Sequence, residues 1–287
     1  METPETSAGA VVEGKKPRMS TRNRVLFLLT GWLIVLMPFL FWWNTWFGRR
    51  LPDKELAEYL HDDKKPLHIQ HALVQLGERM GQHDASVTRW YPEAVRLANY
   101  PVEEVRNTDA WVMGQDISGP GFHEALLKML ADSSLTVRGN AALSLVRFGD
   151  STGRPQIIEL LQVAKVTAPG NGIVTDTGVA GAAIRGGGLV AKLQHGDRST
   201  EEIRSPITGR IRSISALEGS HVSMGQEIAA IAPDTEQVWE ALRALYLIGQ
   251  PQDIAAILPY ERELPDISDR VRQQAAETER AIRARQK

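Results

Sequence analysis

An uncharged, strongly apolar stretch runs from Val25 to Phe47 (VLFLLTGWLIVLMPFLFWWNTWF). Wound as a helix it spans roughly 34 Å, enough for an apolar bilayer core of about 30 Å. Trp42, Trp43 and Trp46 crowd its C-terminal end, where amphipathic rings meet lipid headgroups, and Pro38 predicts a kink. The run is too long for a signal-peptide core and ends in Phe47-Gly48-Arg49-Arg50 without a small-residue cleavage site. An uncleaved transmembrane helix over 25–47 is therefore expected. Lys15, Lys16, Arg18, Arg22 and Arg24 precede it, against Arg49, Arg50 and Lys54 after it. That bias predicts a disordered cytoplasmic tail over 1–24 and a periplasmic C-terminal part on a single-pass protein of the inner (plasma) membrane.

Beyond the anchor the apolar positions recur at helical spacing and in a longer repeat. Val137-Arg138, Ala141-Ala142, Leu145 and Gly149 outline an amphipathic helix with a glycine stop. Val105-Arg106, Ala110 and Met113-Gly114 repeat the pattern upstream, and Val271-Arg272 with Ala275-Ala276 repeat it downstream. Shorter apolar helices precede these: 55–60, 92–98, 124–130, 155–161 and 253–258. Such faces are buried only by stacking neighbouring pairs. The V-R-x-x-A-A signature at 137–142 and 271–276 resembles HEAT repeats, which implies a solenoid of five helix pairs.

The repeat breaks once. Ala241, Leu245, Ile248 and Gly249 match Ala141, Leu145, Phe148 and Gly149 at a distance of 100 residues, where the array predicts about 33. Residues 165–234 therefore read as an insertion between the helices of the fourth pair. The array is expected to occupy 51–164 and to resume over 235–287.

The inserted stretch changes texture, with many glycines and short β-branched runs at 173–174, 189–193, 210–214 and 228–231. It repeats internally. Ala168-Pro169 and Gly172 match Ser205-Pro206 and Gly209; one residue out of step, Gly181, Ile184, Gly187, Val190 and Leu193 match Gly219, Val222, Gly225, Ile228 and Ile231. The glycines are expected to serve turns with positive φ. This pattern resembles the biotinyl/lipoyl carrier domains, which implies an all-β barrel-sandwich hybrid with pseudo-twofold symmetry. In that family a lysine on the tip of the central hairpin carries the cofactor. Arg198 occupies the position here, and a guanidinium does not form that amide. No cofactor is expected. Unmodified hybrids also occur in periplasmic adaptor proteins, whose long helical hairpin between the halves is replaced here by the link 194–202.

Composition narrows the chemistry further. The net charge is −2 with both signs interspersed, giving no basic face for nucleic acid. The chain contains no cysteine, which removes disulfides, thiolate metal sites and cysteine nucleophiles. His68 and His71 share a helical face beside His61, Asp62 and Asp63, but no second ligand pair follows at matching spacing, so no metal site is expected. His195 and His221 could face each other across the sheets. Gly186–Gly188 precedes no Gly-Lys-Ser/Thr and is no phosphate loop. Asp150, Asp197 and Asp253 pair with no Ser/His couple, so no catalytic residue is proposed. The mixed charges of 270–287 suit a solvated capping helix.

The fold class expected is multidomain: an all-α HEAT-like solenoid interrupted by an all-β barrel-sandwich hybrid, plus one transmembrane helix. The function expected is a non-enzymatic adaptor or scaffold, with the membrane and other proteins as partners. An accessory carrier-like subunit of a membrane enzyme complex and a transport-system adaptor are the rival readings. Solenoids bind on the concave face of their second helices, which selects Arg106, Asn107, Trp111, Arg138, Asn140, Trp239 and Arg243. The segment from Trp111 to Asp116 is expected to be a turn between pairs.

Overall fold

A computed structural model of the protein describes residues 20–42, 50–263 and 267–285. The chain divides into two bodies, Met1–Leu51 and Pro52–Lys287. The first contains α1 (Thr21–Trp42), with Pro38 inside it. Its Thr30 hydroxyl donates to the Leu26 carbonyl one turn back, which satisfies the one polar side chain in the middle of the apolar run. The helix is long and apolar enough to cross a membrane or to act as a signal sequence. Trp43, Trp46, Phe47, Arg49 and the tail cations Lys15, Lys16 and Arg18 lie outside the described residues.

The second body holds ten helices among the described residues: α2 (Asp53–Leu60), α3 (Pro66–Gly81), α4 (Tyr91–Leu97), α5 (Glu103–Met113), α6 (Phe122–Met129), α7 (Leu135–Arg147), α8 (Arg154–Glu159), α9 (Thr235–Ile248), α10 (Ile254–Ile257) and α11 (Asp269–Ala284). Prolines open α3, α4 and α8, where a missing N–H costs nothing. Ser134 and Ser268, each three residues before its V-R signature valine, accept from Val137 N and Val271 N and so start α7 and α11 alike. The longer helices α3, α5, α7, α9 and α11 pack in sequence, each against the next. Trp111–Met113 is the last turn of α5 and no loop; only Gly114–Asp116 turns. The valine and alanine preceding those residues bury α5 against its neighbours and carry the helix through them.

Neighbouring long helices are tied by polar contacts at equivalent positions. The Ser144 hydroxyl donates to the Ala110 carbonyl at 2.7 Å, and Thr278 donates to the Leu242 carbonyl at 2.9 Å, both buried. Gly114 is required at the first contact, because a Cβ there would lie 2.4 Å from Ser144 Oγ. The two matching helix-end glycines differ in cause. Gly149 has φ +75° after α7, whereas Gly249 has φ −61° and is needed because a Cβ would meet Leu245 O at 2.5 Å and Ile282 Cδ1 at 2.7 Å.

Between α8 and α9 run eight strands: β1 (Ala164–Thr167), β2 (Gly172–Thr177), β3 (Ala183–Ile184), β4 (Leu189–Gln194), β5 (Thr200–Arg204), β6 (Gly209–Ile214), β7 (His221–Val222) and β8 (Glu227–Pro233). They form two antiparallel sheets, ordered β1-β8-β6-β3 and β5-β4-β2-β7, and neither closes into a barrel. Val174, Leu193 and Ile203 from one sheet meet Val166, Ile211, Ile228 and Ile231 from the other in a single buried core. Exchanging β1–β4 with β5–β8 converts one strand order into the other, so the internal repeat of the sequence is a twofold relation between sheets. Backbone detail follows it. Gly181 N donates to Ile211 O and Gly219 N to Val174 O, both at 2.7 Å; Gly187 N donates to Ser205 O and Gly225 N to Ala168 O, both at 2.8 Å. Those four glycines have positive φ, as expected. Gly172 and Gly209 do not. A Cβ would strike Gln194 O at 2.5 Å and Ala232 O at 1.9 Å, so the neighbouring strand dictates them.

Candidate functional site

The exposed sides of α5, α7, α9 and α11 form a cleft of about 580 Å³. Its apolar part is Trp111, Leu143, Val146, Tyr246 and Leu247; its polar part is Asn140, Arg147, Glu240, Arg243, Gln274 and Glu277. Leu247 is 62% exposed, Tyr246 44% and Trp111 39%, an unusual amount of apolar surface for one groove. Gly77 of α3 lies under the indole: a Cβ there would stand 2.7 Å from Trp111 Cζ3, so this glycine lets the ring lie flat against the preceding pair.

Three of the seven residues selected from sequence, Trp111, Asn140 and Arg243, line this cleft. The other four do not. Arg106 donates to both oxygens of Asp132 at 2.7 and 2.9 Å and to the carbonyls of Tyr100 and Pro101. Arg138 copies it one repeat on, donating to the carbonyls of Asp132 and Ser133 and to Glu159 at 3.1 Å. Both guanidiniums join the turn before their own helix to the next repeat. The V-R signature is therefore a stacking device. Arg272, in the last pair, bonds Asp269 of its own first turn. Asn107 Oδ1 accepts from Asn140 Nδ2 at 2.8 Å, bridging α5 and α7. Trp239 is half-buried with Arg243 and Arg270 over its ring, at 4.6 and 3.6 Å from the centroid.

The residues missed carry a signal in the repeat itself. Asn140, Leu143, Ser144 and Arg147 follow helical spacing along the edge of the buried stripe of α7, and Glu240, Arg243, Ala244 and Leu247 follow it on α9, each 100 residues on. Gln274 and Glu277 occupy the positions of Asn140 and Leu143, counted from Val271 as those are from Val137. Repeat-equivalent positions thus converge on one surface.

Two carboxyls of the array are shifted in opposite directions. Burial by itself would raise Asp132, but the bonds from Arg106 and Ser134 N outweigh it and hold its carboxyl below the ordinary value. Asp109 of α5 is fully buried, and neither carboxylate oxygen has a hydrogen-bond partner. Burial pushes its pKa well above the ordinary value, with the charge of Arg96 only partly opposing.

The candidates for chemistry are dispersed. His68 bonds Asp62 at 2.9 Å and stacks on Tyr59 with centroids 4.2 Å apart; no group of three or more His, Asp or Glu suited to a metal occurs among the described residues. His195 bonds the Asn171 carbonyl and Glu201, and these contacts raise its pKa, Glu201 most; it does not pair with His221, which lies on β7. Asp150 pairs with His123, Asp197 accepts from Ser199, and Asp253 pairs with Arg154. Arg198 lies in the turn between β4 and β5 with φ +66°.

Residues 137–163, covering most of α7 and all of α8, match the family model of the PBS lyase HEAT-like repeat. Among solved structures, a single-chain, multi-domain long-chain acyl-CoA carboxylase is similar over 25% of this chain at 17% identity and a TM-score of 0.24. This chain spans 7% of that structure's length. No curated protein matches the chain. Over residues 137–163 the helical part is thus HEAT-like.

Proposed function

We propose that this protein is a membrane-anchored, non-enzymatic scaffold that docks a partner protein in the cleft along α5, α7, α9 and α11. The observation that carries the reading is the convergence of Trp111, Leu143, Tyr246 and Leu247 in one exposed groove rimmed by charges of both signs. A large aromatic and aliphatic centre inside a polar rim is the anatomy of a protein-binding surface. In this reading α1 is a single-pass anchor of an inner membrane with the array on the periplasmic side. The double sheet is a biotinyl/lipoyl-like module held unmodified. Its twofold strand order and the arginine in the β4–β5 turn support that assignment.

Photo-crosslinking tests it in native membranes. A photoreactive residue at Tyr246 is expected to trap one protein that Leu247→Asp eliminates, while the same residue at exposed Ala255, away from the cleft, traps none. Capture unaffected by Leu247→Asp sinks the cleft. An intact mass showing added biotin or lipoate would instead favour the carrier-like subunit, and a C-terminal reporter active only in the cytoplasm would overturn the orientation.

A further inference from the structure

A second cleft, of about 690 Å³, lies between the sheet β1-β8-β6-β3 and the last two helix pairs. Leu161, Val238, Ala256, Pro259, Ile267 and Val271 make its wall on the helical side. On the sheet side, Ile211 joins the sandwich core while Arg210 before it and Arg212, at a bulge in the β6–β8 pairing, are exposed and line the cleft. Arg262 faces it from beyond α10. Among the described residues one acid lines the cleft, Asp234, and its Oδ2 accepts from Glu236 N as the cap of α9. Arg210 donates to the Gly181 carbonyl. Arg212 and Arg262 have no hydrogen bond or ion pair among the described residues, unlike Arg106, Arg138, Arg154 and Arg270.

The geometry points to a binding site for a small anionic amphiphile, with its apolar body against the helical wall and its carboxylate or phosphate between Arg212 and Arg262. The volume falls within the usual range of small-molecule sites, roughly 300–1,000 Å³. A guanidinium presents a planar fork that suits both anions. Against the three arginines stands one carboxylate among the described residues of the cleft, Asp234, with Oδ2 held by Glu236 N at the start of α9.

Calorimetry on the full chain in detergent tests the site, with naphthalene-2-sulfonate as probe and 2-naphthalenemethanol as its uncharged counterpart. The sulfonate is expected to saturate one site per chain and the alcohol to bind at least tenfold more weakly. The double variant Arg212→Glu/Arg262→Glu should weaken the sulfonate at least tenfold with an unchanged melting temperature, since neither side chain has an internal bond to lose. Ala256→Trp, which fills the cleft, should remove binding of both. Equal binding of sulfonate and alcohol, or undiminished sulfonate binding in the charge variant, overturns the proposal. Competition by monomeric decanoate and by dihexanoyl phosphatidic acid separates a fatty acid from a phospholipid as source of the anion. Displacement by either supports the site; displacement by neither overturns it.

Discussion

Arg106 holds Asp132 through two parallel hydrogen bonds of 2.7 and 2.9 Å, across the boundary between the second and third helix pairs. Their side chains are 14% and 10% exposed, so the pair is shielded from competing water. Asp132 also accepts from Ser134 N and thereby sets the start of α7. One carboxylate therefore fixes both the stacking of repeats and the first turn of the next long helix.

Arg106→Ala is expected to destabilise the array by about 1.5–3 kcal/mol, because the shielded Asp132 loses both guanidinium bonds and keeps that from Ser134 N. Arg138→Ala should cost clearly less: its acidic partner Glu159 is 45% exposed, and such pairs contribute up to about 1 kcal/mol. Urea denaturation of the two variants checks the order. Equal losses would show that the carbonyl contacts, common to both arginines, dominate.

Asp109 makes stability depend on pH in the direction opposite to a salt-bridged acid. Its folded pKa is raised, so the folded state retains a proton that the unfolded chain releases above about pH 4. The stability is fully present below that unfolded pKa and is lost as pH rises towards the folded pKa. Relative to the native chain, Asp109→Asn should gain in melting temperature between pH 5 and pH 8. A constant difference between the two proteins across that window would contradict the protonated form.

Gly209→Ala is expected to cost about 3 kcal/mol, since the added methyl meets the backbone oxygen of Ala232 on the paired strand. Gly225→Ala has open space around its Cβ and pays only for φ +81°, about 1–2 kcal/mol. Thermal unfolding of both variants separates a steric cause from a conformational one.

Leu247→Asp, at a 62% exposed position, should leave the melting temperature within about 1 °C while abolishing partner crosslinking through the cleft. A large stability loss would mean that Leu247 supports the array itself.

The helical spacing, the V-R-x-x-A-A signature and the paired glycine motifs are legible in the sequence, because burial of one face imposes a period on it. The period over Val137–Gly149 and its echo at Val271–Ala276 mark α7 and α11, and the matched glycines mark two equivalent halves of the β region. Four of the seven residues selected from sequence lie outside the cleft, two of them arginines. An arginine on a helix looks the same whether it faces solvent or staples a turn. Arg106 and Arg138 are separated from Arg243 only by what lies opposite them in space.

The sequence by itself determined the apolar N-terminal helix, the helix pairs, the break in their repeat and the duplicated strand pattern, all of which are consequences of local periodicity. Tertiary structure alone decided that the sheets stay open, that Gly209 serves a close strand approach while Gly225 serves a turn, and that Asp109 is buried without a partner. Those outcomes depend on contacts between residues far apart in the chain, whose distances no local pattern encodes.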